Sequence, residues 1–261
     1  MRGGGPTGRL LRVGAPYRSR VLKFPLFSVP VSVHFSFLLV ALFGLGQFQG
    51  WEIAAWTGAV FVAVLLHESG HAFTAKAFGG TSVSITLFAL GGFTSWGASR
   101  DMGPGRRFLI SAAGSAVGIV AGLGVIALSR AGALDGLPDL AMTFLESFVW
   151  AGLVWGVLNW VPILPLDGGH MLQHGLEMFT PTKAAGIARV VSVIAGVAAV
   201  AAAFYYGQTF LAIFVGMITL VGLRSGRDEA PRPTSPAEPA PATEQPPFDV
   251  GPDEEPPAFP I

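Results

Sequence analysis

The sequence of 261 residues contains no cysteine, which excludes disulfide bonds, thiolate zinc sites and catalysis by a cysteine nucleophile. A bound metal ion must therefore be held by histidine and carboxylate side chains. Charged side chains are also scarce, at 12% of all residues, and the formal net charge is zero. The composition therefore indicates no basic surface for nucleic acid, and we expect no nucleic-acid partner.

Hydrophobic residues, in contrast, make up 51% of the chain, and the mean hydropathy is +0.58. This exceeds what a soluble domain of this length needs to fill one core. The few charges lie near the two ends and in short loops. The sequence therefore predicts an integral protein of the cell membrane, in contact with the lipid bilayer.

An apolar run that begins at Val60 leads into the motif His67-Glu68-Ser69-Gly70-His71. Residues four apart share one face of a helix, so both imidazoles could bind one metal ion while Glu68 reaches a water molecule on that ion. Ionisable residues inside a membrane segment are costly and indicate function by default. A pair of histidines satisfied within a core is the alternative interpretation.

The hydrophobic pattern predicts an all-α polytopic membrane protein with about six transmembrane helices. We place these helices at residues 29–46, 51–78, 108–129, 141–166, 187–206 and 209–223. The first is marginal in length, and we interpret His34 near its start as an interfacial or packing residue. After helix 2, residues 81–88 alternate between polar and apolar side chains, and residues 93–96 follow a Gly-Gly pair. This pattern predicts a small membrane-associated β-hairpin that packs beside the metal site.

Composition divides the chain into three parts. Residues 1–28 are a basic segment that we expect to be flexible, residues 29–223 form the six-helix domain, and residues 224–261 form a proline-rich acidic tail that we expect to be disordered. A cleaved signal peptide is the rival interpretation of the first part. With six spans and both termini in the cytoplasm, fifteen of the sixteen Lys and Arg residues are cytoplasmic and Arg130 alone is outside.

A hydrolytic zinc site needs a third protein ligand and an open position for water. The candidates are Asp167, His170 and His174. We favour Asp167, because Pro162, Pro165 and a following Gly-Gly pair distort the chain there and aim its side chain into the bundle. His170 and His174 fall in a more polar stretch, and spacing alone does not exclude them.

The first motif occurs together with Asn159-x-x-Pro162-x-x-Pro165-Leu166-Asp167-Gly168-Gly169 in a later apolar segment. This pair of motifs resembles the site-2 protease family of intramembrane zinc metalloproteases, over most of residues 30–222. The resemblance implies one Zn²⁺ per chain, bound by His67, His71 and Asp167. It also implies that Glu68 is the general base and that Asn159 positions the substrate or its oxyanion.

The function implied by the resemblance is hydrolysis of a peptide bond within or near a transmembrane helix of another membrane protein, in regulated intramembrane proteolysis. An anti-sigma factor is one such substrate. The loops are too short for an inserted globular domain, so we expect a compact form without a PDZ or CBS domain. The alternative is a non-catalytic zinc protein that binds client helices, against which the presence of Glu68 argues. The oligomeric state is not indicated.

Overall fold

The computed structural model describes residues 21–89, 91–98 and 102–228. Within these ranges the chain forms a four-stranded sheet, a short 3₁₀ helix and seven α-helices. The strands are β1 (Val21–Leu26), β2 (Val29–His34), β3 (Gly80–Phe88) and β4 (Gly91–Ala98). The helices are α1 (Val40–Gly44), α2 (Trp51–Ala77), α3 (Pro104–Arg130), α4 (Asp139–Asn159), α5 (Asp167–Glu177), α6 (Ala184–Tyr205) and α7 (Thr209–Asp228), and the 3₁₀ helix Phe35–Leu39 precedes α1.

The prediction of a transmembrane helix that starts at Val29 is wrong. Val29–His34 is strand β2, paired with β1 in an antiparallel hairpin. The valines alternate along β2, and Val29 and Val31 are fully buried in a core that they share with α2. Alternation of this kind favours a strand, but the apolar residues that surround it conceal the period. Within the segment that we expected to be flexible, residues 21–28 therefore belong to this hairpin, and residues 1–20 lie outside the described part.

The sheet corrects the expectation of an all-α fold. The strand order is β1-β2-β3-β4, with a parallel pair between β2 and β3 and antiparallel pairs on both sides of it. The hairpin predicted after helix 2 is present as β3 and β4, and β4 lies at one end of the sheet. Ile85 and Leu87 of β3 are fully buried and pack with Val64 and Ala72 of α2. The sheet is therefore fixed to one side of α2.

Four helices of the described residues are long and apolar enough to cross a membrane, namely α2, α3, α4 and α6. Two further apolar stretches, Phe35–Gly44 and Leu211–Arg224, are shorter. Four of the six predicted spans are thus present as long helices, and the protein is a multi-pass membrane protein. The first predicted span is divided between strand and short helix, and the last is α7, which extends to Asp228. The remainder of the predicted tail lies outside the described residues.

Glycine allows α2, α3 and α4 to pack closely. A β-carbon at Gly70 of α2 would lie 2.6 Å from the carbonyl oxygen of Ala113 in α3. A β-carbon at Gly152 of α4 would lie 3.0 Å from the carbonyl oxygen of Gly118 in α3. Small residues at helix interfaces allow this kind of approach in membranes. The small-residue segment 108–129 thus packs against two other spans.

The turn between α4 and α5 sets the position of Asp167. Helix α4 ends at Asn159, and α5 starts at Asp167 and packs against α3 and α6. At Gly168 a β-carbon would overlap the carbonyl oxygen of Trp160, and at Gly169 it would lie 2.6 Å from the amide nitrogen of Leu164. The Gly pair therefore allows the tight turn that the sequence predicted.

Candidate metal centre

His67 and His71 lie one helical turn apart on α2, on its buried side. Each residue is 8% exposed. Their Nε2 atoms are 3.1 Å apart, and the two rings are nearly perpendicular at a centroid distance of 4.8 Å. The spacing of the motif thus produces the common face that the sequence predicted, since positions four apart on a helix point in one direction.

Asp167 brings a carboxylate to the same point from α5. Its Oδ2 atom lies 3.2 Å from Nε2 of His67, and its Oδ1 atom lies 3.3 Å from Nε2 of His71. Candidate ligand atoms of the three residues all lie within 4.8 Å of one another, and no other such group of three occurs within residues 21–89, 91–98 and 102–228. The structure therefore brings together the three residues that the sequence favoured, whereas His170 and His174 do not join the group.

The chemistry of this cluster fits a divalent zinc ion. Nδ1 of His71 lies 2.7 Å from the carbonyl oxygen of Ile110, which can only accept, so Nδ1–H is the donor. In the neutral imidazole this leaves Nε2 with its lone pair directed at His67 and Asp167. Acceptor atoms that converge without protons between them repel one another, and a cation removes the repulsion. Two imidazole nitrogens and one carboxylate form a ligand set typical of catalytic zinc, with a fourth position free for water.

Helix α3 supports this cluster from behind. Ser115 is fully buried, and its hydroxyl donates to Oδ2 of Asp167 at 3.2 Å. Next to it, a β-carbon on Gly114 would overlap Nε2 of His71. Hydrogen bonds of this type orient metal ligands and raise their basicity. Sequence reasoning did not identify Ser115 or Gly114 as site residues, because their only signal was the small-residue composition of this segment.

The side chain of Glu68 extends from α2 toward the sheet. It is 4% exposed, and the hydroxyl of Thr94 in β4 lies 2.8 Å from its Oε2 atom and 3.0 Å from its main-chain oxygen. Gly92 of the same strand is necessary for this contact, since a β-carbon there would lie 2.7 Å from Cγ of Glu68. The carboxylate next to the two candidate metal ligands His67 and His71 thus has a fixed orientation. The role of Thr94 has no signal in the sequence.

Asn159, the predicted substrate-positioning residue, is the last residue of α4 and is half-buried. No hydrogen bond or ion pair among the described residues joins its side chain to the histidine and aspartate cluster. Its role stays a prediction from the sequence motif. His34 lies at the end of β2, is exposed and contacts Ser36, at 3.4 Å between Nδ1 and Oγ.

His174 belongs to a second polar cluster, between α5 and the start of α3. Its Nδ1 atom lies 3.2 Å from Oε2 of Glu177, to which Arg107 also donates at 2.9 Å. Burial lowers the pKa of His174, so the neutral imidazole is favoured and Nδ1–H donates. Burial opposes ionisation of Glu177, but hydrogen bonds from Gln173 and His174 and the charge of Arg107 outweigh it and lower the pKa of this carboxyl. This cluster connects the helix that carries Asp167 to α3.

Comparison with known proteins agrees with this geometry. A family model described as Peptidase M50B-like matches residues 35–172. The chain is 32% identical over 176 residues to a candidate zinc metalloprotease of Synechocystis sp., covering 62% of this chain and 45% of the relative. It is 30% identical over 186 residues to the candidate zinc metalloprotease Rip3 of Mycobacterium tuberculosis, covering 67% of this chain and 46% of the relative.

Among solved structures, the site-2 protease from Methanocaldococcus jannaschii shares the fold, with a TM-score of 0.57 at 21% sequence identity. The match covers 79% of this chain and 95% of that structure. The chain spans less than half the length of the two curated relatives. Because the family model matches more than half of its residues and includes the histidine motif and Asp167, the chain belongs to the Peptidase M50B-like family.

Proposed function

We propose that the protein is an intramembrane zinc metalloprotease that hydrolyses a peptide bond within or near a transmembrane helix of another membrane protein. The observation that carries this proposal is the convergence of His67, His71 and Asp167 beside a buried, oriented Glu68. A site that only bound zinc would have no need for a base next to the ligands. The sequence family supports the same conclusion, since the two relatives are named as candidate zinc metalloproteases.

In this proposal His67, His71 and Asp167 hold one Zn²⁺, which when bound would lower the pKa of a water molecule and polarise the scissile carbonyl. Glu68 accepts the proton of the attacking water and later donates it to the leaving amine. The hydrogen bond from Thr94 keeps one carboxylate oxygen in place, so the other is free for the proton. We assign to Asn159 the positioning of the substrate or its oxyanion.

The substrate must present an extended backbone, because the carbonyl of a regular helix is hydrogen-bonded and covered by side chains. Strand β4 offers a place for it. It lies at the end of the sheet, pairs with β3 on one side and contacts Glu68 through Thr94. We propose that the unwound segment adds to the outer edge of β4, which is a common way to bind an extended peptide.

The cellular role that we propose is regulated intramembrane proteolysis at the cell membrane. Both chain termini are placed in the cytoplasm, on the basis of the distribution of Lys and Arg. Helix α2 then carries His67 and His71 in its C-terminal half, toward the cytoplasmic side. Cleavage there would release a cytoplasmic fragment, such as a factor held by a membrane-bound anti-sigma protein.

The test uses the full chain, reconstituted with zinc in vesicles together with tagged single-span proteins. The wild type is expected to produce a fragment whose mass places the cut inside or near the span. Glu68→Gln should lose at least about a thousandfold in rate, because it removes the general base, and should keep its zinc. Zinc bound by the wild type without cleavage of any substrate would favour the alternative, a non-catalytic protein that binds client helices.

A further inference from the structure

A cavity of about 660 Å³ reaches from His67 along the facing sides of α2 and α4. Helix α2 contributes Trp56, Val60 and Val64 to its wall, and α4 contributes residues from Glu146 to Leu158. Twelve helical residues extend about 18 Å, so the cavity is long enough for several residues of a bound chain. It connects the metal centre with the end of the bundle at which α2 and α4 begin.

Two adjacent polar residues of α4 line the far end of this cavity. Glu146 is exposed and, within the described residues, forms no ion pair. Ser147 is only 4% exposed, and its hydroxyl has no hydrogen-bond partner within that same part of the chain. The side-chain amides of Gln47 and Gln208 come from loops at the same end. An ionisable group in an apolar helix is costly, so Glu146 and the unsatisfied hydroxyl indicate a missing polar partner.

Aromatic rings stand beside these polar groups. Trp150 follows Glu146 by one helical turn and also lines the cavity. Its ring centroid lies 5.6 Å from that of Trp56, which in turn stacks on Phe48 at 5.6 Å. Indole rings attract cations through their faces, and a carboxylate attracts them by charge. The partner best suited to this combination is therefore a cation with an apolar stem.

We propose that Glu146, Ser147 and Trp150 form a binding site, here called the cation pocket, for a lysine or arginine side chain of the substrate's transmembrane segment. The inference rests on the proposed protease function. The occupant is part of the substrate because the pocket is continuous with the cavity that ends at His67. A basic side chain in a span loses hydration, and the cation pocket replaces it with a carboxylate, a hydroxyl and aromatic faces.

The positions of the helices set the distance between the basic residue and the cut. Ala59 and Ala63 of α2 pack in one cluster with Phe148 and Ala151 of α4. Glu146, just before Phe148, therefore lies about two helical turns from the level of His67, or about 12 Å. This separation corresponds to about eight residues of a helical substrate or about four residues of an extended one.

The test compares substrates that differ in one side chain. A set of single-span peptides carries lysine at successive positions on either side of the cut, and a matched set carries methionine, which has a similar length and no charge. Wild type, Glu146→Gln and Asp139→Asn are reconstituted with zinc in phosphatidylglycerol vesicles. Asp139 is the control, because it is an acidic residue of the same helix that does not line the cavity.

The wild type is expected to show a kcat/KM ratio of lysine to methionine substrate of about ten at the positions four to eight residues from the cut. Glu146→Gln should reduce this ratio to about one, and Asp139→Asn should keep it. Glu146→Lys should reverse it, so that a peptide with glutamate at that position becomes the better substrate than its lysine counterpart. Zinc content of each variant reports whether the metal centre is intact.

Two failures are distinguishable. If the wild type cleaves the peptides but shows no lysine preference at any position, or if Glu146→Gln keeps the preference, the cation pocket is refuted while the protease function stands. If the wild type cleaves none of them, the protease function fails, and photo-crosslinking of the same peptides tests the pocket alone. Preferential capture of the lysine peptide, lost in Glu146→Gln, would support the pocket, and equal capture of both peptides would exclude it.

Discussion

The hydroxyl of Thr94 in β4 lies 2.8 Å from Oε2 of Glu68 in α2. One residue of the sheet therefore donates a hydrogen bond to the carboxylate that we propose as the general base. The bond crosses between two elements that are far apart in sequence, and it is possible only because β4 approaches α2 at Gly92. The sheet thus orients the carboxylate of Glu68, in addition to the role of substrate edge that we propose for β4.

The first prediction concerns this hydrogen bond. Thr94→Val removes the hydroxyl but keeps the shape, so Glu68 loses its donor and samples several orientations. We expect kcat to fall about tenfold, which corresponds to the net free energy of one hydrogen bond to a charged group. The amount of bound zinc should change little. Thr94→Ser keeps a hydroxyl and should restore most of the rate.

The control for this prediction lies on the same strand. Ser95 forms its hydrogen bond with Ser84, at 2.8 Å between the two hydroxyl oxygens, and both residues belong to the β3–β4 hairpin. Ser95→Ala therefore removes a hydroxyl from β4 without touching Glu68. If Ser95→Ala slows cleavage as much as Thr94→Val, the effect comes from the stability of the hairpin and the proposed orientation of Glu68 is wrong.

The second prediction compares a candidate metal ligand, its hydrogen-bond partner and a histidine outside the cluster. Asp167→Ala removes one of the three candidate ligands and should weaken zinc binding by more than about a hundredfold. This exceeds the usual loss of affinity when only a hydrogen-bond partner of a ligand is removed. Ser115→Ala removes the hydrogen bond to Asp167 and should cost about tenfold. His170→Ala should keep its zinc. Metal content after dialysis against graded chelator measures all three, and loss of zinc in His170→Ala alone would reassign the third ligand.

The third prediction uses two glycines of α3. A methyl group at Gly114 would overlap Nε2 of His71, whereas at Gly124 nothing lies within 4 Å. Gly124→Ala should therefore be neutral or stabilise the helix by about 0.5–1 kcal/mol, the usual difference between the two residues. Gly114→Ala should displace His71 and lose zinc.

Thermal unfolding and zinc content of the two variants check this prediction. Both variants replace glycine with alanine in the same helix, so the general effect of this substitution on helix stability cancels in the comparison. Equal zinc content in Gly114→Ala and wild type would mean that α3 does not pack against His71 as the structure has it.

The convergence of the candidate metal ligands is predictable from the sequence because its main signal is local. His67 and His71 are four positions apart in one helix, and helix geometry alone places them on a common face. The third candidate ligand, Asp167, follows a bend between α4 and α5, which Pro162, Pro165 and the Gly pair mark in the sequence. Asn159 is the exception, because the motif assigns it a role that no hydrogen bond among the described residues supports.

The remaining features depend on contacts between distant segments, which a single sequence does not contain. Thr94 and Ser115 look like ordinary polar residues until β4 and α3 are packed against α2. Strand β2 was interpreted as part of a helix because Val29, Val31 and Val33 lie in a stretch that is apolar on both sides. Partners from β1 and β3 decide its structure, and tertiary pairing of this kind overrides local pattern.

The fourth prediction concerns pH and the polar cluster that joins α5 to α3. The pKa of His174 is lowered by burial, so the folded protein favours the neutral imidazole, and stability is lost as the pH falls below the ordinary value of 6.5. The pKa of Glu177 is also lowered, so its contribution is present above its ordinary value of 4.5 and is lost as the pH falls through its folded value. Between pH 7.5 and 5.5 the first effect dominates, and acid should loosen α5.

The measurement for this prediction is the thermal midpoint in excess zinc at pH 7.5 and 5.5. Wild type should unfold at a lower temperature at pH 5.5, and His174→Asn, which stays neutral, should show a smaller difference between the two values. The difference between the two proteins carries the argument, and not the wild-type curve alone. His34→Gln is the matched control, since His34 is an exposed histidine at the end of β2. If His34→Gln and His174→Asn flatten the curve equally, the polar cluster does not determine how acid affects α5.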